Sequence, residues 1–190
     1  MDHNIRVIRN VIGTVQSEEK SEEAERKKIS GTEGGGIEMS RIKDLQKQVI
    51  KVLNDTEEPA KAMAHLHGVS LVAVMIAKKR GQNPELAAMA GLLHDLWAYK
   101  SGSYDNHAHL GADYARKVLE KMELCTQEEV ETITGAIYHH DDKANIDAPF
   151  EEILKDADVI DHCLTDPTKE IKEKERSRYE KLCQEFGMEL

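Results

Sequence analysis

Only three cysteines occur in 190 residues, at positions 125, 163 and 183, and no two of them form a C-x-x-C pair. An odd, scattered set supplies neither a disulfide framework nor a thiolate zinc site, and it suits a reducing cytoplasm. Long apolar runs are missing too. No stretch approaches the roughly 18 apolar residues of a spanning helix, and the N-terminus shows no continuous apolar segment of the export type, so a cytoplasmic location without a membrane partner is expected. Basic charge is in deficit: 26 lysines and arginines face 36 aspartates and glutamates, for a formal net charge of −10. That balance repels phosphate backbones and argues against nucleic acid as a partner, while leaving room for a small phosphorylated molecule held through a metal. A Walker A loop is absent, as are the seryl and cysteinyl elements of covalent phosphatases.

The length suits one domain with a real core and some additional tail. Residues 16–36, QSEEKSEEAERKKISGTEGGG, hold one large apolar side chain, Ile29, among dense charge and end in three glycines. Such a stretch buries too little surface to offset its ordering entropy, so residues 1–38 are expected to be a flexible extension or linker, with Met39 the natural start of the folded unit 39–190. From there the chain reads as helix after helix, with no strand pattern of any length. The spacing of Ile42, Leu45, Val49, Val52 and Leu53 predicts the first. A second runs from near Pro59 to Gly81, and a third opens with Asn83 as N-cap and Pro84 behind it and continues through ELAAMAGLLHDLW. HAHLGADYARKVLEKM makes a fourth. A capping box from Thr126 to Glu129 opens a fifth that ends at AIYHH, and FEEILKDADVIDHCL and a charged C-terminal run complete an all-α bundle of about six or seven helices. That last run, KEIKEKERSRYEKL, reads as a solvated helix with charge pairs four residues apart.

Within this apolar framework sit histidines and carboxylates in unexpected number. His94 and Asp95 end the Ala/Leu-rich third helix; on one regular helix they would point about 100° apart, so both reach a single ion only if the helix end faces it obliquely. On the second helix His67 shares a stripe with Met63, Leu71 and Val74, spaced by three and four, and is expected to point where those residues point. His107 opens the fourth helix, His139 and His140 close the fifth, and Asp158 lies beside Val159 and Ile160. Burying so many imidazoles and carboxylates together costs several kcal/mol unless they bind a cation.

The order His67, His94-Asp95, His107, His140, Asp158 resembles the HD superfamily of metal-dependent phosphohydrolases. HGVSLVA, GLLHDLW, HAHLGA, AIYHHDDK and LKDADVID each look like one of its segments, in the expected order, over roughly residues 60–165. The resemblance implies an HD-domain helical bundle over 39–190. It implies His67, His94, Asp95 and Asp158 as ligands of a first ion, Asp95 able to bridge to a second, and His107 and His140 as ligands of that second ion, with two ions favoured over one. His94 and Asp95 are then central to catalysis. His65 and His109 are expected to be packed, solvated or secondary, His3 and His162 ordinary, and His139 the nearest competitor of His140. Lys100 and Lys143 are the candidate contacts to a substrate phosphate; Trp97 and Tyr99 are candidates to line a base pocket.

Imidazole and carboxylate without thiolate suit iron, manganese, cobalt, nickel or zinc. One or two such ions would activate water and neutralise phosphoryl charge, so the expected activity is hydrolysis of a phosphoester or phosphoanhydride of a nucleotide or similar small molecule. HDLWAYK lacks the acidic pair of the stringent-response hydrolases, and no glycine-tyrosine-proline motif of the cyclic di-GMP phosphodiesterases is present. The resemblance in spacing is nearest to the small bacterial dinucleoside polyphosphate hydrolases. Two rivals stand beside this reading: a diiron oxygenase of the same fold, and a nucleotide-binding regulatory domain without turnover.

Overall fold

Eight helices run through residues 40–189, the part of the chain that the computed structural model describes: α1 (Arg41–Leu53), α2 (Pro59–Lys79), α3 (Pro84–Leu93), α4 (Leu96–Ser101), α5 (His107–Met122), α6 (Gln127–His139), α7 (Pro149–Thr165) and α8 (Glu173–Phe186). No strand occurs among the described residues, and the fold is an all-α bundle. The expectation of a flexible extension over residues 1–38 lies outside the described residues.

Local signals start the helices where the sequence places them. Asn83 Oδ1 accepts the backbone N–H groups of Glu85 and Leu86 at 2.9 and 3.2 Å. Thr126 Oγ1 accepts from the Glu129 N–H at 3.3 Å while Glu129 Oε2 accepts from the Thr126 N–H at 2.9 Å, a reciprocal capping box. Both arrangements satisfy donors that the first helical turn leaves without partners.

Central in the bundle, α2 packs on α3 and α7. Its core face is Ala62, Leu66, Val69, Ala73, Ile76 and Ala77, all fully buried. By length and composition α2 would also span a bilayer, yet this face is spent on the interior. The expected stripe through Met63, Leu71 and Val74 is not the core face: Leu71 is 66% exposed. Because α2 is apolar nearly all round, periodicity alone selects no unique buried side. Close approach of α2 and α3 needs Gly91, where a β-carbon would come within 2.6 Å of the Ser70 Cα.

The third expected helix is two helices. After Leu93 the chain leaves regular geometry at Asp95 (φ −106°, ψ 7°), and α4 begins at Leu96. The charged C-terminal run also departs from expectation. α8 buries Glu175, Tyr179, Leu182 and Cys183 and packs on α7. Arg178 from α8 pairs with Glu152 and Asp156 at 2.7 and 2.6 Å, and Arg80 from the end of α2 pairs with Asp156 and Glu185, each at 2.7 Å. Much of the charge on this helix is thus consumed in contacts across helices.

Candidate metal centre

The interruption at Asp95 answers the orientation problem that a continuous helix would pose. With the backbone turning between His94 and Asp95, both side chains face one point: His94 Nε2 lies 3.7 Å from Asp95 Oδ2. Around that point α2 brings His65 and α7 brings Asp158. His65 Nε2 stands 3.1 Å from His94 Nε2, 3.7 Å from Asp95 Oδ2 and 3.5 Å from Asp158 Oδ1, and His94 Nε2 stands 3.7 Å from the same Asp158 oxygen. The other Asp95 oxygen turns the opposite way. Oδ1 lies 3.5 Å from His107 Nε2 and 3.3 Å from His140 Nε2. One carboxylate therefore serves two sets of imidazoles.

Each imidazole is oriented by an acceptor behind it. His94 Nδ1 meets the Gly91 carbonyl at 2.8 Å, His107 the Tyr104 carbonyl at 2.9 Å, and His140 the Ile137 carbonyl at 2.6 Å. His65 Nδ1 meets Asp161 Oδ2 at 2.7 Å. Carbonyl and carboxylate oxygens only accept, so every Nδ1 carries the proton and, in a neutral ring, every Nε2 directs a lone pair into the cluster. Asn106, in the left-handed region at φ 51°, turns the chain into α5 so that His107 enters at its first position; asparagine takes that conformation more readily than most residues.

The electrostatics call for a positive group. Asp95 and Asp158 are buried, which by itself favours the neutral acid. For Asp95 the neighbouring His94, His140 and His65 rings outweigh burial, and for Asp158 Lys143 and His94 do, so both carboxyls lie well below the usual range. Burial likewise disfavours charge on His65, but the hydrogen bond to Asp161 and the nearby carboxylates of Asp95 and Asp158 prevail and raise it to about 10. A proton on this ring and a metal ion are thus alternative partners of the same carboxylates. Asp95 Oδ1 and Asp158 Oδ1 are buried and accept no hydrogen bond from any protein group. Orphaned carboxylate oxygens facing imidazole lone pairs fit a cation, and the donor atoms of His65, His94 and Asp95, and those of Asp95, His107 and His140, lie within 4.8 Å of one another.

Of the residues singled out in the sequence, the structure brings together His94, Asp95, His107, His140 and Asp158. It does not bring His67. That ring lies two residues from His65, about 200° around α2, its Nε2 buried without a partner, while His65 occupies the place expected for it. Ala62, His65, Val69, Ala73 and Ile76 follow helical spacing along the buried face, a stripe that the sequence offers on equal terms with the one through His67. Sequence reasoning also passed over Asp161, which orients His65, and over His162. His139 turns away to Asp147, 3.8 Å distant, and the exposed His109 stacks on Tyr138 with centroids 3.9 Å apart. Neither candidate phosphate contact reaches the cluster as a free ammonium. Lys143 is buried and donates to Asp158 Oδ2 and to the His140 carbonyl, both at 2.7 Å. Lys100 sits over the Tyr114 ring, 4.4 Å from its centroid, beside a separate cleft. Trp97 packs against Tyr114, whereas Tyr99 does line the cavity above the cluster.

That cavity, of about 670 Å³, has Asp95, His107, His140 and Asp158 in its wall, together with Tyr99, Tyr104, Lys61, Lys169, Lys172 and Lys174. Comparison with known proteins agrees with the architecture. A crystal structure of a predicted HD superfamily hydrolase from an uncultured Thermotogales bacterium superposes with a TM-score of 0.54, covering 79% of this chain and 91% of that one at 23% identity, a likeness of fold. Ribonuclease Y of Opitutus terrae is 30% identical over 96 residues, 47% of this chain, and the match spans 18% of that protein's length. The HD domain profile matches residues 63–163, from the helix that carries His65 to the turn beyond Asp158. A cluster that draws on an adjacent His-Asp pair and a late aspartate, inside a segment covering more than half of the sequence, places this chain in the HD domain family.

Proposed function

We propose that this HD-domain protein, a metal-dependent hydrolase, cleaves a phosphoester or phosphoanhydride of a nucleotide or similar small molecule at a two-ion centre. The observation that carries the reading is the divided carboxylate of Asp95, one oxygen toward His65 and His94 and the other toward His107 and His140. In it, His65, His94, Asp95 and Asp158 hold one ion, and Asp95, His107 and His140 the second. Divalent ions so held supply Lewis acidity toward phosphoryl oxygens and an acidified water. Asp95 keeps the two ligand sets in register. Lys143 neutralises the outward oxygen of Asp158, and Asp161 holds His65 in the tautomer that leaves Nε2 open.

The wall of the cavity supports the substrate class. Lys61, Lys169, Lys172 and Lys174 are paired with Glu58, Asp166, Glu175 and Asp141 at 2.8–3.4 Å. Where both partners are exposed, as for Lys61, Lys169 and Lys174, such pairs are weak and yield readily to a phosphate, whereas Lys172 faces the buried Glu175. Tyr99 and Tyr104, centroids 6.3 Å apart, offer an aromatic wall for a base. The curated relative's name, a ribonuclease, sits comfortably with phosphoester chemistry, while the net charge of −10 favours a small nucleotide over a polymer.

Metal analysis of protein purified without chelator, followed by a phosphate-release screen over nucleotides with manganese, iron, cobalt, nickel and zinc, tests the proposal. Two ions per chain and release from at least one nucleotide are expected. Oxygen uptake in an iron-loaded sample without phosphate release would overturn it in favour of an oxygenase.

A further inference from the structure

One imidazole against the cluster has no part in the reading above. His162 lies one turn beyond Asp158 on α7, stacked on His65 with ring planes 6° apart and centroids separated by 5.3 Å. Its Nε2 is 3.5 Å from Asp158 Oδ1, the same distance and the same oxygen as for His65 Nε2. Behind it, Nδ1 meets Glu175 Oε1 at 3.2 Å, as His65 Nδ1 meets Asp161. Glu175 comes from the first turn of α8 and is 2% exposed, a degree of burial that a glutamate sustains only when paired; the Lys172 ammonium stands 3.4 Å from the same oxygen.

The two histidines thus repeat one device. A carboxylate takes the Nδ1 proton and Nε2 is left facing a carboxylate oxygen that is itself buried and accepts no hydrogen bond. Acceptors converge in this way only around a positive group. The donor atoms of His65, Asp158 and His162 lie within 4.8 Å of one another, close to the span that two ligands on one ion can cover. We infer that His162 is a further ligand of the ion held by His65, His94, Asp95 and Asp158, and that Glu175 is its orienting partner. The inference rests on the metal centre proposed above. It extends that centre to α8, beyond the segment 63–163 that the family profile covers.

The test uses the full chain, stripped and reloaded with cobalt(II), and reads bound metal, affinity by chelator competition, and the visible d–d spectrum. His162→Ala should weaken binding of one ion by about 10–100-fold and change the spectrum, and Glu175→Gln should weaken it by about tenfold. His162→Gln, closer in size and polarity, gives the same readings should the alanine variant fold poorly by far-UV circular dichroism. Unchanged affinity and spectrum in His162→Gln overturn the inference. Loss of cobalt in Asp95→Ala alongside full retention in His162→Gln overturns only the inference; a wild type that takes up no cobalt overturns the metal centre with it.

Discussion

Gly68 faces Asp161 so closely that a β-carbon on the glycine would come within 1.9 Å of Asp161 Oδ1. The bare backbone of α2 at this point allows α7 to bring Asp161 against His65 Nδ1. Gly68→Ala should push the carboxylate aside, release the His65 ring and overpack the contact between the helices at a cost of about 1–3 kcal/mol. Thermal melts of the metal-free protein and chelator competition on the loaded protein measure the two effects. An alanine variant with unaltered melting and affinity would show that Asp161 does not depend on this gap.

His65 and His67 stand two residues apart and should behave oppositely. His65→Ala is expected to lose bound metal and turnover, while His67→Ala keeps both. Elemental analysis of the purified variants decides it, and metal loss in the second variant alone would reverse the assignment of the two rings.

Lys143 is buried against Asp158, so Lys143→Met strands a buried carboxylate. Removing one partner of such a pair destabilises by about 3–5 kcal/mol. Denaturant unfolding in the presence of chelator should show that loss, and adding Asp158→Asn should recover part of it. Equal loss in the single and double variants would mean that the lysine acts through packing and not through its charge.

On the proposed reading, the exposed Lys61 and Lys169 of the cavity wall meet substrate and not metal. Lys61→Ala with Lys169→Ala should raise KM for a nucleotide by at least about tenfold, the effect of losing a charge-assisted contact, with bound metal unchanged. Steady-state kinetics on the substrate found by screening provide the check; a selective fall in kcat would place these side chains nearer the reacting atoms.

Acid should loosen the attachment of α8. The Glu185 carboxyl lies below its ordinary value of 4.5 because Arg80 donates to it. Glu152 is lowered too, since Arg178 and the Asp147 N–H outweigh a burial that would raise it. For groups depressed in the folded state, stability is fully present above the ordinary carboxylate range and is lost as pH falls through the lower folded values. Melting temperatures from about pH 6 down to about pH 3, with chelator present, should drop in the wild type and drop less steeply in Glu185→Gln. Parallel curves would remove Glu185 from the acid transition.

Much of the fold was legible because its signals are local. Asn83 and Thr126 cap helices with their own neighbours, and the spacing from Ile42 to Leu53 marks α1 without reference to any other element. The break at Asp95 was not legible, since Leu96 to Ser101 continues in residues that suit a helix, and only the packing around His94 sets the turn. The part played by α8 was hidden for a related reason. Its charges look solvated in one dimension, and their partners Glu152, Asp156 and Arg80 lie far away in the chain.

Taken alone, the order of residues determined an all-α bundle, the adjacent His94-Asp95 pair at a helix end, and a supply of histidines and aspartates that calls for a cation. These follow from periodicity, capping and residue chemistry, which act over a few neighbours. Tertiary structure decided which histidine of HLH faces His94 and Asp158, that Lys143 neutralises Asp158, and that His162 lies against Asp158 with Glu175 of α8 behind it. Helix α2 is apolar on nearly every side, so its rotation is set by what α3 and α7 press against it, and a rotation of two residues, about 200°, would exchange a ring inside the cluster for a ring outside it.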